Sequence, residues 1–139
     1  MDFGSSNADG RSLLPAAREI LRVAAQRGIE LLDTASAYGN SEEVLGMALP
    51  PGHGFRIVTK TPVFGSRGAG PSDAAALQQA LRASLKRLRT RSVYGLLAHH
   101  ADDLTAKGGD RLYDAMRALK DAGLVRKIGA SVYTGRELD

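Results

Sequence analysis

The 139-residue chain contains no cysteine, which excludes disulfides and thiolate metal sites. No apolar run approaches the length of a membrane span, and the opening stretch MDFGSSNADGRS has no apolar core of the kind a signal peptide needs. A membrane partner is therefore not expected, and the expected setting is reducing and cytoplasmic. Internal repeats and low-complexity tracts are lacking too, so a solenoid is not expected. Basic residues are not interleaved with aromatics, which make up only 5% of the chain, so no nucleic-acid partner is expected despite a net charge of +4. The remaining composition, 43% apolar and 24% charged, is that of one soluble globular domain over residues 1–139.

The punctuation of the chain predicts alternating helices and strands. Residues 1–12 read as a loop. A helix is expected from Pro15 to Arg27, with Ile20, Leu21 and Ala24 on one face and Gly28 as its stop. Ile29–Asp33 reads as a strand and Glu42–Leu49 as a short helix closed by Pro50-Pro51-Gly52. Phe55–Lys60 is a second strand. Pro71-Ser72-Asp73 opens a long helix to about Thr90, with Leu77, Leu81, Leu85 and Leu88 on its buried stripe. Val93–His99 is a third strand, residues 100–109 a polar loop, Asp110–Ala122 a helix stopped by Gly123, and Lys127–Ser131 a fourth strand. Such alternation predicts an α/β fold with a parallel sheet.

Several features read as ordinary. His53, in PPGHGF, is expected to be an exposed turn residue. The loop carrying Gly65, Gly68 and Gly70 lacks the order of a dinucleotide fingerprint and reads as a plain loop. Arg82, Lys86, Arg87, Arg89 and Arg91 form a basic helix end, expected to be solvated. His99-His100 followed by Asp102-Asp103 suggests a metal site, but neighbouring strand residues face opposite ways, so no metal is expected there.

One regularity is less ordinary: each strand ends on a polar group, Asp33, Lys60, His99 and Ser131, at separations of 27, 39 and 32 residues, the length of successive βα units. Period-two alternation places Asp33 on one face with Leu31 and Ile29, and His99 with Leu97 and Gly95. In a closed parallel barrel these groups converge at one mouth, with Tyr38 on the loop just beyond Asp33. A tyrosine is a sluggish acid-base catalyst near neutrality, and a lysine ammonium nearby favours its phenolate. An aspartate keeps such a lysine charged, and a histidine can orient a substrate oxygen. That is machinery for proton transfer coupled to carbonyl reduction, with the hydride coming from a nicotinamide cofactor.

The segments GIELLDTASAYGNSEEVLG (28–46), IVTK (57–60), LLAHHADD (96–103) and GLVRKIGAS (123–131) resemble the aldo/keto reductase family, a (β/α)8 TIM barrel of NADP-dependent carbonyl reductases, over about residues 14–139. The resemblance implies a catalytic tetrad of Asp33, Tyr38, Lys60 and His99, with Tyr38 as general acid. It implies NADPH as cofactor, contacted by Asp33 and Ser131, and a small carbonyl substrate. Val132 stands where many members carry an asparagine that also contacts the carboxamide, and Ala101 replaces a common proline. MDFG is all that answers to the family's first strand and hairpin, and the segments beyond its fifth strand have no counterpart. The object expected is thus the N-terminal half of the barrel, truncated to about four βα units. The alternative is a non-catalytic relative serving assembly or cofactor sensing. Four strands cannot close an eight-stranded barrel, so an inward face with Ile29, Leu31, Val58 and Leu97 is expected to be uncovered. Self-association through the open edges, and weak NADPH binding, are expected to follow.

Overall fold

The computed structural model describes residues 14–64, 70 and 72–135. The N-terminal loop and the loop glycines Gly65 and Gly68 lie outside the described residues. The elements are α1 (Leu14–Gln26), β1 (Leu31–Asp33), α2 (Ser41–Ala48), β2 (Arg56–Lys60), α3 (Asp73–Arg87), β3 (Val93–Ala98), α4 (Asp102–Thr105), α5 (Gly109–Asp121) and β4 (Val125–Ala130). All four strands lie in one parallel sheet, in the order β1-β2-β3-β4. Parallel neighbours need a crossover, and α2, α3 and α5 supply one for each pair. Among the described residues, no helix is long and apolar enough to cross a membrane.

Three helices end in the same way. After α1, Gly28 takes a left-handed φ of 75°, and the Ile29 amide donates back to the Ala24 carbonyl at 3.0 Å. After α5, Gly123 (φ 73°) repeats the turn, with Leu124 donating to Leu119 at 3.1 Å. These are Schellman stops, and glycine suits them because it has no Cβ to clash. The third stop, after α3, uses Arg89 at φ 54°, with Thr90 donating to Leu85 at 3.1 Å. A helix read to Thr90 overshoots for this reason: an arginine gives no sign of a left-handed stop. The expected polar loop over 100–109 is corrected as well, since it holds the one-turn helix α4 with Asp102 and Asp103 in its first turn.

Strand register divides the sheet into two faces. Asp33, Val58 and Gly95 lie abreast, as do Lys60 and Leu97. The opposite face, with Ile57, Leu96 and Ala98, packs against Leu77, Leu81, Leu85 and Leu88 of the α3 segment and Leu112, Met116 and Leu119 of α5. A smaller core joins Ala17 and Leu21 of α1 to Val44 and Ala48 of α2. Ile20 belongs to neither core and is exposed, because the buried stripe of α1 runs through Ala17 and Leu21. On the face turned from the helices, Ile29 and Leu31 are 52% and 48% exposed. Val58, expected to be uncovered with them, is buried.

A buried charge ties these layers together. Glu42, in the first turn of α2, is only 1% exposed. It accepts a hydrogen bond from the Thr59 hydroxyl of β2 at 2.7 Å, and from the Arg87 guanidinium of α3 through Nε at 2.8 Å and Nη2 at 2.7 Å. The basic end of α3 is therefore not wholly solvated as expected: Arg87 turns inward to neutralise this carboxylate. Gly46, one turn on, permits the approach, because a Cβ there would collide with the Arg87 carbonyl oxygen.

Removing one partner of a buried ion pair strands the other. Glu42→Ala should lower unfolding free energy by about 3 kcal/mol, the low end of the range because Arg87 keeps access to water. Glu42→Gln, which keeps the volume and an acceptor for Thr59, should cost less. Urea denaturation measures both, and an alanine variant as stable as the parent would contradict the role given to Glu42.

Candidate active site

The C-terminal ends of the strands bring the predicted groups together. Lys60 is the last residue of β2, and its side chain is 3% exposed. Its ammonium donates to Asp33 Oδ2, at the end of β1, at 2.6 Å, and to the Thr34 carbonyl at 3.1 Å. The Asp33 side chain is itself 51% exposed, so one end of the pair reaches water. The ammonium lies 5.0 Å from the centroid of the Tyr38 ring, and the His99 ring meets Tyr38 edge-on at 6.0 Å. Asp33, Tyr38, Lys60 and His99 thus form one cluster, with Tyr38 exposed at its mouth. Ser131 sits just past β4 on the same edge, its amide donating to the Ala98 carbonyl at 2.9 Å.

Tyr38 is placed by a turn. Its amide donates to the Ala35 carbonyl at 3.1 Å, and its carbonyl accepts from the Ser41 amide at 3.0 Å. The Thr34 and Ser41 hydroxyls meet at 3.0 Å and close the loop behind it.

His99 is buried, and its Nδ1 has no protein partner. Burial, then the neighbouring His100 and the Lys60 ammonium, push its pKa below the usual histidine value of 6.5, so the ring is neutral at pH 7. Its backbone amide donates to the buried Thr61 hydroxyl at 3.1 Å. Thr34 and Thr61 were not singled out in the sequence. The signal was there: each is a threonine immediately after a strand-ending charge.

Two expectations change. The rings of His99 and His100 lie 5.1 Å apart rather than on opposite sides, because β3 ends at Ala98 and strand alternation no longer applies beyond it. Among the described residues no group of three metal-binding side chains forms. His53 is half-buried rather than exposed, packing against Phe55 at 6.2 Å with its Nδ1 enclosed.

A parallel α/β sheet with charged and phenolic groups gathered at its C-terminal edge defines the class to which TIM-barrel enzymes belong. The aldo/keto reductase family profile matches residues 1–139 in full. The chain belongs to that family, whose members are oxidoreductases. It is 33% identical over 129 residues to the aldo-keto reductase YhdN of Bacillus subtilis, an alignment that covers 87% of this chain and 38% of that protein. A Pseudomonas aeruginosa structure assigned to the aldo-keto reductases superposes with a TM-score of 0.74 at 32% identity, covering 94% of this chain and 51% of its own. The NADPH complex of an aldo-keto reductase from Klebsiella pneumoniae shares the fold, with a TM-score of 0.74 at 23% identity over 98% of this chain and 45% of that one. The chain spans about half or less of the length of these relatives.

The depressed pKa of His99 has a measurable sign. The folded state binds fewer protons than the unfolded state, so His99 costs stability as pH falls from 6.5 through its folded pKa, and costs nothing well above 6.5. An imidazole NMR titration should find its midpoint below 6.5, moving upward in Lys60→Met. A midpoint at or above 6.5 would contradict the buried, cation-flanked setting.

Proposed function

We propose that this site reduces an aldehyde or ketone to an alcohol with NADPH, reversibly, with Tyr38 as general acid. The observation that carries the reading is the buried Lys60 ammonium, fixed by Asp33 at 2.6 Å and set 5.0 Å from the Tyr38 ring. A positive charge held beside a phenol stabilises the phenolate left when the proton goes to the substrate oxygen. Asp33 keeps that charge in place at an otherwise unfavourable depth. His99, neutral at pH 7, cannot be the stronger acid, and is left to donate a hydrogen bond that orients the carbonyl oxygen.

The residues present fit a nicotinamide carboxamide. The Asp33 carboxylate is half-exposed with one oxygen outside its bond to Lys60, and the Ser131 hydroxyl has no partner among the described residues. Ser131 and the free oxygen of Asp33 would hold the amide, and the reduced nicotinamide would supply the hydride. The NADPH complex of the Klebsiella relative supports this choice of cofactor.

Tyr38→Phe should lower kcat for carbonyl reduction by at least about 100-fold while leaving NADPH affinity unchanged, because the hydroxyl serves proton transfer alone. Lys60→Met should produce a loss of similar order. Stopped-flow turnover with a panel of aldehydes and fluorescence titration with NADPH test both. Undiminished turnover in the phenylalanine variant would remove Tyr38 from the mechanism.

The open face bears on the isolated chain. Ile29 and Leu31 are exposed, and β1 and β4 have no further strand partner among the described residues. Such edges and apolar faces pair with other chains. Residues 1–139 should therefore sediment above 14.7 kDa and bind NADPH weakly. A monodisperse 14.7 kDa species with tight NADPH binding would contradict this.

A further inference from the structure

Far from the catalytic edge, at the N-terminal ends of the strands, three cations converge on one ring. The Arg56 guanidinium of β2 lies 5.4 Å from the Tyr94 ring centroid, that of Arg126 on β4 lies 5.8 Å away, and the Lys127 ammonium 5.4 Å. The Lys127 ammonium beside the ring is the main cause of that phenol's lowered pKa, followed by the charges of Arg56 and Arg126. The carboxylate brought to this group is Glu30, paired with Arg56 at 3.1 Å and well exposed to solvent. Arg126 and Lys127 have no ion pair among the described residues. We propose that Arg56, Arg126, Lys127 and Tyr94 form a seat for a phosphate group, separate from the catalytic edge and outside the carbonyl-reducing function.

Charge and geometry both lead there. An aromatic face attracts each cation but cannot neutralise three of them. Like charges gathered from two strands and left with one monoanion repel, and a dianion settled among them reverses that balance. Two guanidinium forks and an ammonium present donors to the several oxygens of a phosphate, which accepts charge-assisted bonds in many directions. The Tyr94 hydroxyl, when protonated, adds a donor of its own to the seat. Arg56 and Lys60 begin and end the same strand, so the seat lies about 13 Å from the catalytic lysine at a rise of about 3.3 Å per residue. A ligand at this seat does not occupy the mouth where Tyr38 and His99 lie.

Tyr94 reports on its own occupancy. The charged groups facing it are Arg56, Arg126, Lys127 and, through Arg56, Glu30. Phenolate absorbance, taken as the parent minus Tyr94→Phe, should titrate below the ordinary value of about 10, and should move upward when inorganic phosphate replaces chloride at constant ionic strength. Calorimetry with inorganic phosphate and with a simple alkyl phosphate monoester should detect binding of each. Tighter binding of the monoester would identify a phosphorylated small molecule as the ligand, and equal binding the phosphate group itself. The exposed double variant Arg126→Gln/Lys127→Gln should bind either probe at least about tenfold more weakly. A double variant that binds like the parent, an absence of phosphate binding, or an equal shift produced by chloride would overturn the proposal.

Discussion

A lysine ammonium taken out of water must be compensated, and the Lys60 ammonium is compensated twice, by the Asp33 carboxylate at 2.6 Å and the Thr34 carbonyl at 3.1 Å. Both partners belong to the end of β1. A strand of only three residues would otherwise hold its neighbour weakly, with Asp33 aligned to Val58 and the Thr34 amide bonded to the Val58 carbonyl at 2.9 Å. The ion pair thus fixes the β1–β2 register at the level where Tyr38 leaves the sheet. The interaction that positions the candidate acid is the one that fastens the edge strand.

The residue before Lys60 does the corresponding work on the other face. Successive strand residues point to opposite sides, so Thr59 is turned toward the helices when Lys60 is turned away from them. Its hydroxyl bonds Glu42, which in turn holds Arg87, so β2, α2 and α3 are joined by one carboxylate. Two adjacent residues of β2 therefore anchor the sheet to two different charges, one on each face. The polar pattern of Thr59-Lys60-Thr61 in a buried strand follows from this, with Thr61 bonding the His99 amide and tying β2 to the end of β3.

Much of this arrangement was legible in the sequence. Asp33 and Lys60, which end strands, and His99, which directly follows one, fell at βα spacing, and parallel register brings such ends to one level without any long-range information. Leu77, Leu81, Leu85 and Leu88 announced the buried stripe of α3 through their spacing. Two kinds of feature were hidden. Glu42 and Arg87 are 45 residues apart, and both look like exposed helix charges until α2 and α3 are docked at Gly46. Arg89 adopts a backbone conformation that its side chain does not advertise. The Tyr94 cluster was hidden for the first reason too: Arg56, Arg126 and Lys127 become neighbours only through β3, which lies between their strands.

Tyr38 differs in kind from the other members of the site. Asp33 and Lys60 end strands and His99 follows one directly, so ladder hydrogen bonds set their positions. Tyr38 stands on a seven-residue connection between β1 and α2 and depends on two local backbone bonds and the left-handed Gly39 at φ 56°. Proton transfer demands placement within hydrogen-bond reach, and small displacements are costly. The Thr34–Ser41 hydroxyl contact closes the base of this loop, and Ser41 begins the helix that Glu42 locks to β2 and α3. The buried glutamate, remote from any reacting atom, thereby holds the loop on which the phenol rests. Strain or loosening at the α2–α3 contact should reach the active site through Ser41 before it reaches Lys60, whose own bonds stay within the sheet and the residue that follows β1.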